Sequence, residues 1–140
     1  MRQTVKLRPL AVSDHPALIK LWSTCAEIDI RPTDTPEALH RFLARNAGCS
    51  FGACAGTRLI GAVLAGQDGW RGYLYHMAVK PDFRERGTGA ELVKAAVTAL
   101  RETGAPKVHC LVKRDNLIAQ QFWEACGFSL RDELYDYTLS

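Results

Sequence analysis

Apolar positions along this chain change period several times, and the changes divide it into elements. Thr4 to Leu10 alternates Val5, Leu7 and Pro9 against Lys6 and Arg8, which predicts a first strand. Ser13 or Asp14 then caps a helix with Pro16 in its first turn, and Leu18, Ile19, Trp22, Cys25 and Ala26 follow at helical spacing. After a polar connection from Glu27 to Thr33, Asp34 and Glu37 resemble a capping box. They predict a second helix with Leu39, Phe42 and Leu43 on its inner face and Gly48 at its end. Ser50–Ala55 and Leu59–Gly66 are short apolar segments around Gly56-Thr57-Arg58, a hairpin pattern.

A turn from Gln67 to Gly72 carries Trp70 and Arg71 and precedes a strand at Tyr73–Val79. Strict alternation there sets Tyr73, Tyr75 and Met77 on one face, and Leu74, His76 and Ala78 on the other. The helix after Gly89 buries Leu92, Val93, Ala96, Val97 and Leu100 and stops at Gly104, with Pro106 beyond. Lys107–Val112 is the next strand, parallel to Tyr73–Val79 because a full helix separates them. Asn116 caps a last helix ending at Cys126-Gly127, and a strand pair at Phe128–Leu130 and Leu134–Leu139 would close the sheet. The order β-α-α-β-β-β-α-β-α-β-β over residues 1–140 predicts a single α/β domain.

Composition adds limits rather than detail. A net charge of +3 gives no argument for nucleic acid, and no apolar run reaches membrane length. Five cysteines without CxxC spacing favour reduced, buried thiols over a disulfide frame or a metal site, so a cytoplasmic protein is expected.

Candidate chemistry concentrates in LYHMAVKPDFRERGTGAEL, residues 74–92. A strand runs into a glycine-punctuated loop and then a helix start, whose unpaired N–H groups and partial positive charge suit a phosphate. Arg84 and Arg86 add charge, and Gly87 and Gly89 admit a close ligand. A Walker A loop fits poorly because Gly89 is followed by Ala-Glu-Leu, and a dinucleotide fingerprint fits poorly because its third glycine is missing.

The stretch MAVKPDFRERGTGAEL resembles motif A of the GNAT superfamily of N-acetyltransferases, Arg/Gln-x-x-Gly-x-Gly/Ala, through Arg84, Gly87 and Gly89. NLIAQQFWEACGF resembles that family's motif B through Asn116, Ala119, Phe122 and Gly127-Phe128. GQDGWRG followed by YHMAVKPDFR also resembles the YpeA-like bacterial branch, and ribosomal-protein alanine acetyltransferases are similar through the same two motifs. The resemblance implies a mixed sheet of six to seven strands, flanked by four helices, with its fourth and fifth strands parallel and splayed around acetyl-CoA. It implies that Met77, Ala78 and Val79 pair with the pantetheine arm. Glu85, Arg86, Gly87, Thr88, Gly89 and Ala90, with Arg84, would surround the pyrophosphate, and Asn116 would lie near the arm.

The implied reaction is attack of a primary amine on the thioester, without a covalent enzyme intermediate or a metal. The acceptor would be a small molecule or a protein amine, and the closing strand pair offers an edge for a homodimer. A catalytically silent acyl-CoA-binding domain is the alternative with the same motifs. An ammonium of pKa near ~10 must lose a proton before attack. His76 and Tyr75 are candidates to assist, as is His109. Trp123 occupies the motif-B position where many relatives carry a tyrosine that protonates the leaving thiolate. Indole does not titrate usefully there. A thiol of pKa about 8.5 leaves near neutrality at a mismatch of only roughly 2 kcal/mol, so the reaction survives without that acid. Asp29, Arg31 and Asp34 are candidate acceptor contacts.

Overall fold

The computed structural model describes residues 3–140. Strands β1 (Val5–Pro9), β2 (Phe51–Ala55), β3 (Arg58–Gln67), β4 (Gly72–Val79) and β5 (Val108–Cys110) form one sheet in the order β1-β2-β3-β4-β5. The first four are antiparallel, and β4 and β5 are parallel. Helices α1 (His15–Ser23), α2 (Pro36–Arg45), α3 (Thr88–Glu102) and α4 (Leu117–Ala125) flank it. The sheet is therefore mixed, and α3 connects the parallel strands β4 and β5.

Two cores lie on the two faces of the sheet. Leu92, Val93, Ala96 and Leu100 of α3 pack with Ile60, Val63 and Leu74, and Trp123 of α4 joins them. Leu18, Leu21 and Trp22 of α1 pack with Leu39 of α2 and with Ala62 and Ala78 of the sheet. Leu18, Ile60, Val63, Leu92 and Leu100 are fully buried, each contributing about 1.5–3 kcal/mol of transfer free energy.

The structure departs from the sequence expectation at both helix starts on the α1/α2 face. Asp14 forms no cap for α1; its carboxylate accepts two bonds from Arg8 at 2.8 Å and one from the Ala11 N–H at 2.8 Å. Thr35 caps α2, accepting from the Ala38 N–H at 3.1 Å, which releases Asp34 for other contacts.

The strand count is five rather than six to seven. β5 is three residues long instead of six, and among the described residues no strand follows α4. Phe128 donates its N–H back to Trp123 at 3.0 Å, a turn forms at 132–133, and the rest of the chain runs without a sheet partner. Apolar alternation predicts a strand there, but a strand needs an edge to pair with, and the tail has not joined the edge of β5.

Candidate active site

The site begins with a bulge in β4. Leu64 pairs with Tyr75 and Ala62 pairs with Ala78, so β4 spends three steps where β3 spends two. His76 takes φ +48, a left-handed conformation uncommon for a residue with a Cβ. The extra residue breaks the alternation expected from sequence. Tyr75 and His76, although consecutive, both turn toward α1 and α2, where Tyr75 meets Phe42 and His76 meets Trp22 edge-on at 4.7 Å. Met77 turns to the α3 face. Ala78 returns to the α1 side and Val79 to the α3 side.

Over this bulge lies a recess of about 300 Å³ with mostly apolar walls, formed by Trp22, Ala38, Leu39, Phe42, Leu64, Tyr75 and His76, with Asp34 at its polar end. The Asp34 carboxylate stands 3.2 Å from His76 Nε2 and accepts the Arg31 N–H at 2.9 Å. His15 Nε2 contacts the Asp34 carbonyl at 2.9 Å, tying α1 to the same loop. Trp22 Nε1 is buried with no hydrogen-bond partner among the described residues. Burial, reinforced by Tyr73 and Asp68, pushes the Tyr75 hydroxyl above its usual range, so it is a neutral donor at physiological pH.

At the far end of β4 the chain enters the glycine turn. Glu85 at φ +63 and Gly87 at φ +82 curl the backbone before α3. The first N–H of the region to reach a helical carbonyl belongs to Glu91, which donates to Gly87 O at 3.1 Å. The N–H groups of Gly87, Thr88, Gly89 and Ala90 precede it without helical acceptors, and the curled approach makes a concave donor set suited to an anion.

The two glycines have different jobs. A Cβ on Gly87 would meet nothing within 4 Å, so its role is conformational and its open side faces no protein atom. A Cβ on Gly89 would stand 2.9 Å from Phe122 and 3.1 Å from Met77. Gly89 therefore lets α3 pack against α4 and β4.

The arginines are also distinct from the sequence expectation. Arg84 Nε donates to Val79 O at 2.8 Å and its Nη2 pairs with Glu27 at 3.0 Å, so its charge fastens the end of β4 to the segment after α1. Arg86 donates to Asp82 O at 3.1 Å and lies over the Phe83 ring. Asn116 Oδ1 accepts the Ala119 N–H at 3.0 Å as the cap of α4.

Between the bulge and the turn, β4 and β5 separate. They pair only from Gly72–Val108 to Leu74–Cys110, and β4 continues for five residues to Val79 with no β5 partner. This parted edge leaves Tyr75–Val79 backbone available to an extended amide-bearing molecule. Trp123 is buried, edge-on to Phe122 at 5.1 Å and to Phe128 at 5.0 Å. Its indole is packed into the core. His109 stacks on Tyr73 at 5.3 Å, away from the Asp34 pair. Asp29 bridges to Lys113 at 2.9 Å, joining the α1–α2 connection to the segment after β5, and this pairing holds its carboxyl below the usual range. Burial, with Cys126 adding to it, pushes the Cys110 thiol up to about 12, so the cysteine beside the parted strands is a thiol and a poor nucleophile.

A parallel pair that parts after three rungs, with a curled helix start at its open end, can be compared with known proteins. The sequence model described as the acetyltransferase (GNAT) family matches residues 15–128. This chain belongs to the GNAT acetyltransferase family. It is 34% identical over 113 residues to an acetyltransferase of Pectobacterium atrosepticum, covering 80% of this chain and 79% of that one. The crystal structure of the PaiA N-acetyltransferase of Thermoplasma acidophilum in complex with coenzyme A superposes with a TM-score of 0.78 at 22% identity, covering 92% of each chain. The ribosomal-protein-S18-alanine N-acetyltransferase of Escherichia coli gives a TM-score of 0.71 at 17% identity, over 90% of this chain and 78% of that one. The five-stranded sheet with parallel β4 and β5 is thus the GNAT fold, and no helix among the described residues is long and apolar enough to cross a membrane.

Within this GNAT chain the structure brings Tyr75, His76 and Asp34 together and sets Trp123 apart. Trp22, at the helical spacing of a core position, packs in the core and also walls the recess. Phe42 and His15 were missed as site residues, having the spacing of ordinary helix positions. Asp34 reads from sequence both as a cap and as a candidate acceptor contact; the cap is Thr35, directly before Pro36, and Asp34 lies at the recess.

Proposed function

We propose that this acetyltransferase moves the acetyl group of acetyl-CoA to a primary amine seated in the recess over β4. The observation that carries the reading is the Asp34–His76 pair, 3.2 Å apart, on the bulge where β4 leaves β5. Acetyl-CoA supplies a thioester that a neutral amine can attack directly. Met77, Ala78 and Val79 offer backbone to its amide arm. Glu85, Arg86, Gly87, Thr88, Gly89 and Ala90 offer N–H groups to its pyrophosphate, and the Asn116 side-chain nitrogen, free of the cap bond, lies at the α4 start. The parted strands and the curled, glycine-opened turn fit that group.

His76 donates its Nε2–H to Asp34, which orients the ring and stabilises the charge it gains, and leaves Nδ1 as the lone pair that accepts the amine proton. Tyr75, as a neutral phenol on the same wall, donates a hydrogen bond at the acceptor. The bulge takes the His76 and Met77 backbone out of ladder register, freeing an N–H for the developing oxyanion. No cysteine nucleophile takes part. The thiolate departs without Trp123, whose role is packing. Arg84 acts by positioning the end of β4. The small apolar recess favours a compact amine, either a small molecule or the terminal or side-chain amine of a protein. Five free cysteines support a reducing compartment, the cytoplasm, as the setting of the reaction.

The test is thiol release from acetyl-CoA against a panel of primary amines, with acetyl-CoA binding followed separately by calorimetry. Binding together with amine-dependent release supports the reading. Binding with no release across small and peptide amines would instead make the chain an acyl-CoA-binding domain.

A further inference from the structure

Helix α2 and its cap lay one face along the recess. Thr35, Ala38, Leu39 and Phe42 line it at the spacing of successive turns, so the recess follows the helix for about 10 Å. Asp34 stands before the first of these residues, and Phe42 stands at the opposite end. The Phe42 ring is fixed there from two sides. Tyr75 meets it edge-on at 5.9 Å. Gly66 of β3 lies against it, where a Cβ would come within 2.7 Å of the ring and of the Asn46 side-chain nitrogen. A side chain at 66 would displace the ring, so the glycine makes its seat.

The charge along this space is one-sided. No lysine or arginine is among the described residues that line it. Arg31, in the same loop as Asp34, turns its guanidinium to Asp29 at 3.6 Å, and Lys113 pairs with that carboxylate at 2.9 Å. His76 is engaged by the Asp34 carboxylate and His15 by the Asp34 carbonyl. A carboxylate carried on the acceptor would therefore meet apolar rings and Asp34, with no fixed cation to pair with. In size, a cavity of about 150 Å³ holds a benzene ring, so about 300 Å³ admits one ring with a short amine arm.

We propose that Phe42, seated on Gly66, is the specificity-determining residue of this site and limits the acceptor to a carboxylate-free primary amine with a body about one aromatic ring in size. The inference rests on the reading that an amine bound over β4 is the acceptor, and it narrows the class of that amine. Asp34 and His76 hold the nitrogen at one end. Trp22, Tyr75 and Phe42 enclose the body through ring contacts. A free amino acid is rejected because its carboxylate would lie near Asp34, adding repulsion to lost hydration.

The test compares phenethylamine, phenylalanine, phenylalaninamide and phenylbutylamine. Each is measured for binding by calorimetry with coenzyme A present, and for thiol release from acetyl-CoA. Phenethylamine should exceed phenylalanine at least roughly 100-fold in affinity and in kcat/KM, and phenylalaninamide, with that charge removed, should recover most of the loss. Phe42→Ala should shift preference from phenethylamine toward phenylbutylamine by about tenfold. If that variant loses its helical spectrum, Phe42→Leu should shift the preference in the same direction. Equal use of phenylalanine and phenethylamine overturns the proposal while leaving acetyl transfer to an amine in place, as does a length preference that neither variant moves. The expected binding preferences without thiol release would support the recess assignment and defeat the acetyl-transfer reading instead. Binding of none of the four overturns the proposal.

Discussion

Asp34 and His76 stand 3.2 Å apart across 42 positions of sequence, one on the turn before α2 and the other on the β4 bulge. The pair exists because Thr35 takes the capping role and because the bulge turns His76 onto the α1/α2 face. If Asp34 orients the imidazole that takes the amine proton, Asp34→Asn loses a hydrogen bond to a charged partner, worth about 1.5–3 kcal/mol. Turnover should then fall roughly 10–100-fold with acetyl-CoA affinity unchanged. Steady-state kinetics beside calorimetry checks this. Because Asn keeps the Arg31 contact geometry, a lower Tm would signal a structural role.

Gly87 and Gly89 should separate binding from packing. Gly87→Asn keeps a residue that tolerates positive φ and adds a side chain on the open side, so the fold survives and acetyl-CoA binds at least about tenfold more weakly. Gly89→Val instead drives a side chain into Phe122 and Met77 and should destabilise by about 1–3 kcal/mol, read as a lower denaturation midpoint. Equal effects on affinity and stability in both variants would contradict the division.

Trp123→Tyr should not accelerate turnover. The indole fills core space against Phe122 and Phe128, and a smaller ring leaves a void and buries a hydroxyl. A loss of about 1–3 kcal/mol of stability with no gain in rate is expected, measured by denaturant titration and thiol release. A faster enzyme would mean that the leaving thiolate lacked an acid and received one.

The Arg8–Asp14 contact predicts an acid-labile contribution to stability. Arg8, by its hydrogen bonds, holds the Asp14 carboxyl below the ordinary carboxylate range. A depressed folded pKa means that the stabilisation is fully present above the unfolded value and is lost as pH falls through the folded one. Asp14→Asn should cost about 1 kcal/mol at neutral pH, because Arg8 is half exposed and solvent screens the pair. The difference between variant and wild type should shrink toward zero in acid, as a series of denaturant midpoints would show.

The sequence carried the element order as far as α4, the parallel β4–β5 crossover, the glycine turn, the Asn116 cap and the Gly127 stop, because each rests on local periodicity or on a residue with one conformational use. The missing parts depend on pairing. A bulge shifts register by one residue and moves a side chain to the opposite face, and nothing in YHMAV marks it, since His76 is not a glycine. Arg84 reads as a phosphate ligand until Glu27, 57 positions away, is found against it. Gly89 and Gly87 look alike until Phe122 and Met77 are placed. The tail shows a strand pattern, but a pattern cannot supply its own edge.

The central claim is that His76 takes the proton of an amine held beside acetyl-CoA. His76→Gln keeps a polar side chain of similar reach and removes the base, so the direct measurement is acetyl-CoA affinity and amine-dependent thiol release in this variant and the wild type. Affinity should be unchanged while turnover falls by about 10²–10⁴-fold. Turnover equal to wild type would contradict the assignment.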